Sequence, residues 1–265
     1  MSDYVKPSYD LSGKVAVITG STRGIGNAIA RTMALYGANV VITGRKQDAC
    51  DAAAAEITAL GGGKALGVAT EVTNAEHREN LINKTVEAFG RIDILVNNAG
   101  VGGTPKNMID IAEADYDHTL DADLKAVYFM SQIAARQMKE QGRPEGVDPY
   151  RIINMASAAG IKAPRGDSIY GAAKAAVIHL TKIMANELAR YGITVNAIAP
   201  GYVVTDMTKG VMADEKNAAA VKKMISLRRY AQPAEIAGVA NFLASPAGAY
   251  ITGVLIPVDG GMTIN

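Results

Sequence analysis

The stretch VAVITGSTRGIGNAIA, Val15 to Ala30, decides the fold. A short β-branched apolar run passes directly into a glycine-rich turn, and the turn opens a segment with helical periodicity. Gly20, Gly24 and Gly26 follow the spacing G-x-x-x-G-x-G. Glycines at such a turn let the backbone approach a pyrophosphate, and the positive end of the following helix favours its charge. A glycine turn alone can serve merely to redirect the chain. A strand before it and a helix after it make the setting of a dinucleotide site.

The same alternation continues outward. VAVIT (15–19), NVVIT (39–43), KALGVAT (64–70), DILVN (93–97), RIINM (151–155), TVNAI (194–198) and GVLIPV (253–258) read as strands. Most are continuously apolar, as parallel strands covered on both faces are. Segments 24–36, 47–60, 75–89 and 168–190 read as helices. This alternation predicts one α/β domain over 1–265, a doubly wound parallel sheet with right-handed crossovers. Residues 1–13 form an N-terminal extension, and KEQGRPEGVDPY (139–150) reads as a surface loop.

Composition narrows the class. Apolar residues make up 49% of the chain, ample for a sizeable core. The 27 basic and 26 acidic residues leave a formal charge of +1, which argues against a general nucleic-acid surface. No apolar run approaches the ~18 residues of a membrane-spanning helix. MSDYVKPSYDLSGK, at the start, lacks the apolar core of a signal peptide. The one cysteine, Cys50, fits a reducing compartment, and His77, His118 and His179 show no metal-ligand spacing. The expectation is a cytoplasmic protein with no metal, nucleic-acid or membrane partner.

The end of the second strand reports on the dinucleotide. An acidic side chain there accepts hydrogen bonds from a ribose 2′-hydroxyl and repels a 2′-phosphate. VVITGRK instead has Gly44 and Arg45. Arg23, in the glycine turn, can converge on the same place, and two guanidiniums facing one phosphate make a charge-assisted clamp. NADP(H) is the expected cofactor and NAD(H) the alternative; the other reading of both arginines is solvated surface.

SIYGAAKAAVIHL (168–180) raises the question of chemistry. Tyr170 and Lys174 stand at i, i+4, on one helix face with Cβ atoms ~5–6 Å apart. An ammonium beside a phenol favours the phenolate, so the pair suits proton exchange with an alkoxide.

Taken together, TGSTRGIG (19–26), NNAG (97–100), Ser157 in NMASAAG, YGAAK (170–174), APGYVVTDM (199–207) and VDGG (258–261) carry a resemblance. Over nearly its full length the chain resembles the short-chain dehydrogenase/reductase family, of the 3-oxoacyl-carrier-protein reductase or gluconate 5-dehydrogenase type. The resemblance implies a Rossmann-like three-layer sandwich with a seven-stranded parallel sheet, a nicotinamide cofactor and a homotetramer. It implies that Tyr170 transfers the proton, that Ser157 orients the substrate oxygen, and that Lys174 also holds the cofactor ribose. Ser157 has the alternative role of a turn serine. By the same resemblance Ser21, Ile25, Asn98, Ala99, Gly100, Pro200 and Gly201 belong to the cofactor cradle, and Asn97 shapes its adenosine side. The backbone of Val203 and the hydroxyl of Thr205 hold the nicotinamide carboxamide, although Thr205 also fits a helix N-cap.

Two positions depart from the family. Asp123 stands in DADLKAVYF where the family has an asparagine that supports a proton relay. It can pair with Lys174 and alter the pH dependence, or lie on a solvated helix face. Glu71-Val72 replaces the usual Asp-Val near the adenine.

Substrate choice falls to loop 101–115, to the residues between Ser157 and Tyr170, and to the region 205–230. Lys162, Arg165, Lys209, Arg228 and Arg229, with Met207, Met212 and Met224, lie there. The cations point to an acidic substrate, a keto-sugar acid or a phosphopantetheine-linked 3-oxoacyl group, unless they are ordinary surface charges. Three functions follow: an NADP(H)-dependent ketone reductase or alcohol dehydrogenase; a sugar-acid or polyol dehydrogenase using NAD(H); and a cofactor-sensing binding protein without turnover. Helices around 112–138 and 168–190 are the expected subunit contacts.

Overall fold

The computed structural model describes residues 6–103, 105–142 and 148–265. Seven strands form one parallel sheet: β1 (Val15–Ile18), β2 (Asn39–Gly44), β3 (Ala65–Ala69), β4 (Ile94–Asn97), β5 (Tyr150–Met155), β6 (Ile193–Pro200) and β7 (Leu255–Val258). Their order is β3-β2-β1-β4-β5-β6-β7, every neighbouring pair parallel. All seven expected strands are present.

Alternate residues of each strand feed two cores. On one face, Ile18, Ile42 and Val96 pack with Ile29 and Met33 of α1 (Gly24–Leu35) and with Ile236 and Leu243 of α9 (Pro233–Ala244). On the other, Val17, Val41, Leu95 and Ile152 pack with Leu81 of α3 (Ala75–Phe89), Met130 and Met138 of α5 (Ala126–Gln141), and Met184 of α6 (Ser168–Leu188). This two-sided burial is why the strands read as unbroken apolar runs. The helix α2 (Gln47–Thr58) covers β3, and α7 (Lys209–Ala213) and α8 (Glu215–Met224) follow β6.

The structure adjusts three boundaries. The helical segment expected around 112–138 is α4 (Glu113–Leu120), a π-helical turn at Asp121–Lys125, and α5. Because α5 continues to Gln141, the expected loop 139–150 begins later, and residues 143–147 of it lie outside the described residues. The N-terminal extension is docked from Ser8 onward: Ala247 N donates to Ser8 O at 3.0 Å, Tyr9 packs on Phe242, and Leu11 is fully buried.

A buried polar chain ties the second core together. Asn97 Nδ2 donates to Ser131 Oγ (2.9 Å) and Asn154 Oδ1 (2.8 Å), and Asn154 Nδ2 donates to Thr181 Oγ1 (3.0 Å). Asn97 thus has a structural role, with both amide hydrogens donated inside the core. Asn154→Ala orphans the groups on either side, and is expected to cost about 1–3 kcal/mol for each buried group left unpaired. Thermal denaturation against an exposed control, Lys84→Ala, checks this.

Candidate active site

β1 is flanked by β2 and β4, so the chain leaves it at the point where the strand order reverses, and a crevice opens at the strands' carboxyl ends. The glycine turn lines it. Gly20 and Gly24 have φ of +63° and +62°, a region that glycine enters without strain. A methyl on Gly26 would lie 2.6 Å from Gly20 O and 2.5 Å from Asn98 Nδ2. The turn is stapled to its neighbours. Thr19 Oγ1 accepts from Asn98 N and Ala99 N, both at 2.9 Å, and Asn98 Nδ2 donates to Thr19 O and Gly20 O. On the other side Gly20 N donates to Thr43 Oγ1 at 2.9 Å.

This geometry fits a pyrophosphate. Arg23, the N-cap of α1, sends no side-chain hydrogen bond into the first turn, so its amides have no side-chain cap. Ser21 lies beneath the turn. It is fully buried, its hydroxyl donates to Ile18 O (2.7 Å) and accepts from Thr43 N (3.0 Å), and so it braces the turn from beneath. Ile25 is partly buried against the α1 core, Ala99 and Gly100 line the end of β4, and Gly201 packs against Asp259. Val72 is buried; Glu71 Oε1 accepts from Thr73 Oγ1 at 3.2 Å, a local bond within its own loop.

The two arginines do not converge. Arg45 is exposed at the end of β2, and its guanidinium makes no hydrogen bond or ion pair among the described residues. Arg23 Nη1 instead lies 3.3 Å from Asp206 Oδ2, in the loop after β6. Both partners of this bridge are largely in solvent, so it is weak and readily exchanged for a phosphate.

At the other end of the crevice, β5 delivers Ser157. Its Oγ accepts from Ala159 N at 3.2 Å and caps the 3₁₀ turn Ala158–Gly160, so the turn role is real, and the hydroxyl proton remains to be donated. Gly160 lets that turn press on α6: a methyl there would lie 2.7 Å from the Lys174 carbonyl carbon. α6 carries Tyr170, half-buried, with Lys174 Nζ 5.5 Å from its ring centroid.

Lys174 is buried, and its ammonium is held by two partners. Nζ donates to Met155 O at 3.2 Å and lies 2.8 Å from Asp123 Oδ1. Asp123 is fully buried, so the solvated-face reading is overturned. The π-helical turn, a common device at functional sites, carries it inward, and Val101 N donates to its Oδ2 at 3.3 Å. Gly100 makes room, since a methyl there would stand 2.3 Å from Asp123 Oδ1. Burial alone pulls the Lys174 ammonium down, but the charge of Asp123, then Tyr170 and the hydrogen bond from Asp123, outweigh it and hold it above the ordinary lysine value.

The Val203–Thr208 loop closes the crevice. A methyl on Gly24 would lie 3.7 Å from Thr205 Cγ2, so Thr205 sits over the glycine turn. Thr208, not Thr205, occupies the N-cap of α7, and its hydroxyl bonds to Val203 O. Most of the cations expected to welcome an acid are already engaged. Lys209 pairs with Asp206, Arg229 forms a two-pronged bridge to Glu235 (2.6 and 2.7 Å), Arg228 bonds to Lys223 O, and Lys162 to Asn265 O. Asp167, not singled out in the sequence, does reach the crevice: its Oδ1 lies 3.0 Å from a methyl placed on Gly103, which would also touch Tyr170 Cβ at 2.9 Å. Its place three residues before Tyr170, on the same helix face, was the available signal. A separate apolar recess of about 630 Å³, lined by Leu120, Leu124, Tyr128, Phe129, Leu180 and Ile183, lies away from these groups.

The chain is similar to known proteins over nearly its whole length. A family model described as Enoyl-(Acyl carrier protein) reductase matches residues 20–263. A 3-oxoacyl-[acyl-carrier-protein] reductase of Synechocystis sp. is 42% identical over 256 residues, 96% of this chain and 98% of that protein. A 2-dehydro-3-deoxy-D-gluconate 5-dehydrogenase of Dickeya dadantii is 36% identical over 261 residues, covering 96% and 97%. The structure of Pseudomonas aeruginosa RhlG in an active-site complex with NADP superposes with a TM-score of 0.90 at 33% identity, over 98% of this chain and 100% of that one. The chain accordingly belongs to the short-chain dehydrogenase/reductase family, NAD(P)-dependent enzymes that act on CH–OH and ketone groups.

Proposed function

We propose that the protein is an NADP(H)-dependent oxidoreductase that interconverts a ketone and a secondary alcohol, with Tyr170 as proton donor and base. The observation that carries this reading is the buried Lys174 ammonium beside Tyr170, across from Ser157 at the end of β5. In the reductive direction the substrate carbonyl oxygen accepts hydrogen bonds from the Tyr170 and Ser157 hydroxyls. The bound nicotinamide supplies the hydride to the carbonyl carbon. Tyr170 gives its proton to the oxygen that becomes the alcohol, and the Lys174 charge stabilises the phenolate left behind. Asp123 and Met155 O hold that ammonium in place.

Preference for NADP(H) rests on Arg45 at the end of β2, where Gly44 precedes it and no carboxylate stands to repel a 2′-phosphate. Arg23 joins it by leaving Asp206. Gly20, Gly24, Gly26 and the uncapped first turn of α1 hold the pyrophosphate, with Ile25, Ala99 and Gly100 lining the cradle and Val72 beside the adenine. Pro200, Gly201, Val203 and Thr205 face the nicotinamide end. Assembly as a homotetramer is supported by the exposed Tyr116, Tyr128 and Ile183 around the apolar recess of α4–α6.

Tyr170→Phe removes the transferred proton. NADPH oxidation with a ketone panel is expected to fall at least ~100-fold, the scale of lost general acid catalysis. Arg45→Ala is expected to weaken NADPH binding about 10–100-fold, the scale of a lost hydrogen bond to a charged group, while NADH binding changes far less. Fluorescence titration of each nucleotide measures it. Asp123→Asn leaves Lys174 without its counter-charge, so turnover is expected to survive with the pH–rate curve moved toward lower pH by about one unit. A curve that does not move would remove Asp123 from the relay.

A further inference from the structure

We propose that Asp167 is the specificity-determining residue of the substrate crevice, and that it selects an uncharged, polyhydroxylated ketone or the matching polyol. This rests on the oxidoreductase reading above and names its substrate class.

Asp167 stands at the N-cap of α6, where an aspartate ordinarily accepts from the helix's first amides. Here its carboxylate accepts nothing from that helix. It turns instead toward Gly103, alongside Tyr170. Burial raises its pKa, the sign of a carboxylate half-withdrawn from water. No ion pair neutralises it among the described residues, and Arg165, two residues earlier, is exposed. Tyr202 lies just after β6. Burial first, then the charge of Asp167 and Tyr230, push its phenol up, which puts Tyr202 within electrostatic reach of the carboxylate. Its ring rests edge-on against Tyr230, 6.2 Å between centroids, and its hydroxyl has no hydrogen-bond partner among the described residues. The unpaired Asp167 carboxylate thus borders the space next to Tyr170.

The chemistry of this carboxylate excludes as well as attracts. A carboxylate without a counter-ion repels a substrate carboxylate or phosphate, and a bare acyl chain would leave it desolvated and unpaired. A hydroxyl next to the reacting carbonyl donates to it, a charge-assisted bond that a site built for hydroxyls uses to reject analogues lacking them. Of the basic residues that could reverse this preference, Lys209 and Arg229 are neutralised by Asp206 and Glu235.

The test compares kcat/KM with NADPH on neutral ketoses (D-fructose, L-sorbose, D-xylulose), on 5-keto-D-gluconate, and on the N-acetylcysteamine thioester of 3-oxobutanoate. The wild type is expected to favour a ketose. Asp167→Ala is expected to lower the ketose-to-thioester ratio at least tenfold. Asp167→Asn, which keeps an acceptor oxygen, should restore part of that ratio while raising the keto acid relative to the ketose. A wild type that favours the keto acid or the thioester, or ratios that Asp167→Ala leaves unmoved, overturns the assignment. Saturation-transfer NMR of the same ketoses supplies a readout free of turnover. Ketose binding that depends on Asp167 in a protein that reduces nothing would sink the oxidoreductase reading and keep the assignment. No ketose binding to the wild type would sink the assignment even where other ketones are reduced.

Discussion

β1 must pair with β2 on one side and β4 on the other, and the chemistry of the chain depends on that divergence. The crossovers leave toward opposite faces, so the carboxyl end of β1 opens onto a crevice that neither neighbour fills. A turn that offers free amides to an anion cannot use them to hold itself in shape. Thr19 and Asn98 supply the missing bonds from the side, the hydroxyl accepting two β4-end amides and the amide donating to two turn carbonyls. Ser21 does the same from below. The glycines at 20 and 26 are then required by protein packing as much as by any ligand, since a methyl at either would strike these braces.

The second constraint is electrostatic. Moving two charges out of water costs several kcal/mol for each ion, and removing one partner of such a pair typically costs ~3–5 kcal/mol. The chain accepts that cost at Asp123 and Lys174, and devotes a π-helical turn and a side-chain-free Gly100 to bringing them together. What is gained is a lysine that stays charged. Its raised value means that the stabilisation it draws from Asp123 is fully present below the ordinary lysine range and is lost only as pH rises through the higher folded value. Near neutrality the ammonium beside Tyr170 does not titrate.

How far the sequence discloses this differs by level. The strands were legible because two-sided burial writes unbroken apolar runs, and α1, α2, α3 and α6 because they keep one period from end to end. The π-helical turn was not, since one extra residue per turn leaves no gap in composition. Motif membership named the neighbourhood of Ser21 and Asn97 without the direction of their side chains, and both face inward. Asp123 was legible as a departure but ambiguous in outcome, because its pairing with Lys174 depends on a helix rotation set by the bulge. Asp167 offered its spacing from Tyr170 as a signal, but nothing in one sequence says that an N-cap aspartate fails to cap.

At the substrate end, counting charges along the sequence does not count their partners. Selection by charge depends on what remains after neighbours are paired, and the loops after β6 carry their own counter-ions. Asp206 engages both Arg23 and Lys209, and Arg229 holds the Glu235 carboxyl down at about 2. Among the described residues, Arg45 at the end of β2 and Asp167 beside Tyr170 have no ion-pair partner. They have opposite signs. On the proposed reading a phosphate-bearing dinucleotide meets the first and a hydroxyl-bearing neutral substrate the second. On that reading an acidic substrate would meet repulsion from the Asp167 carboxylate.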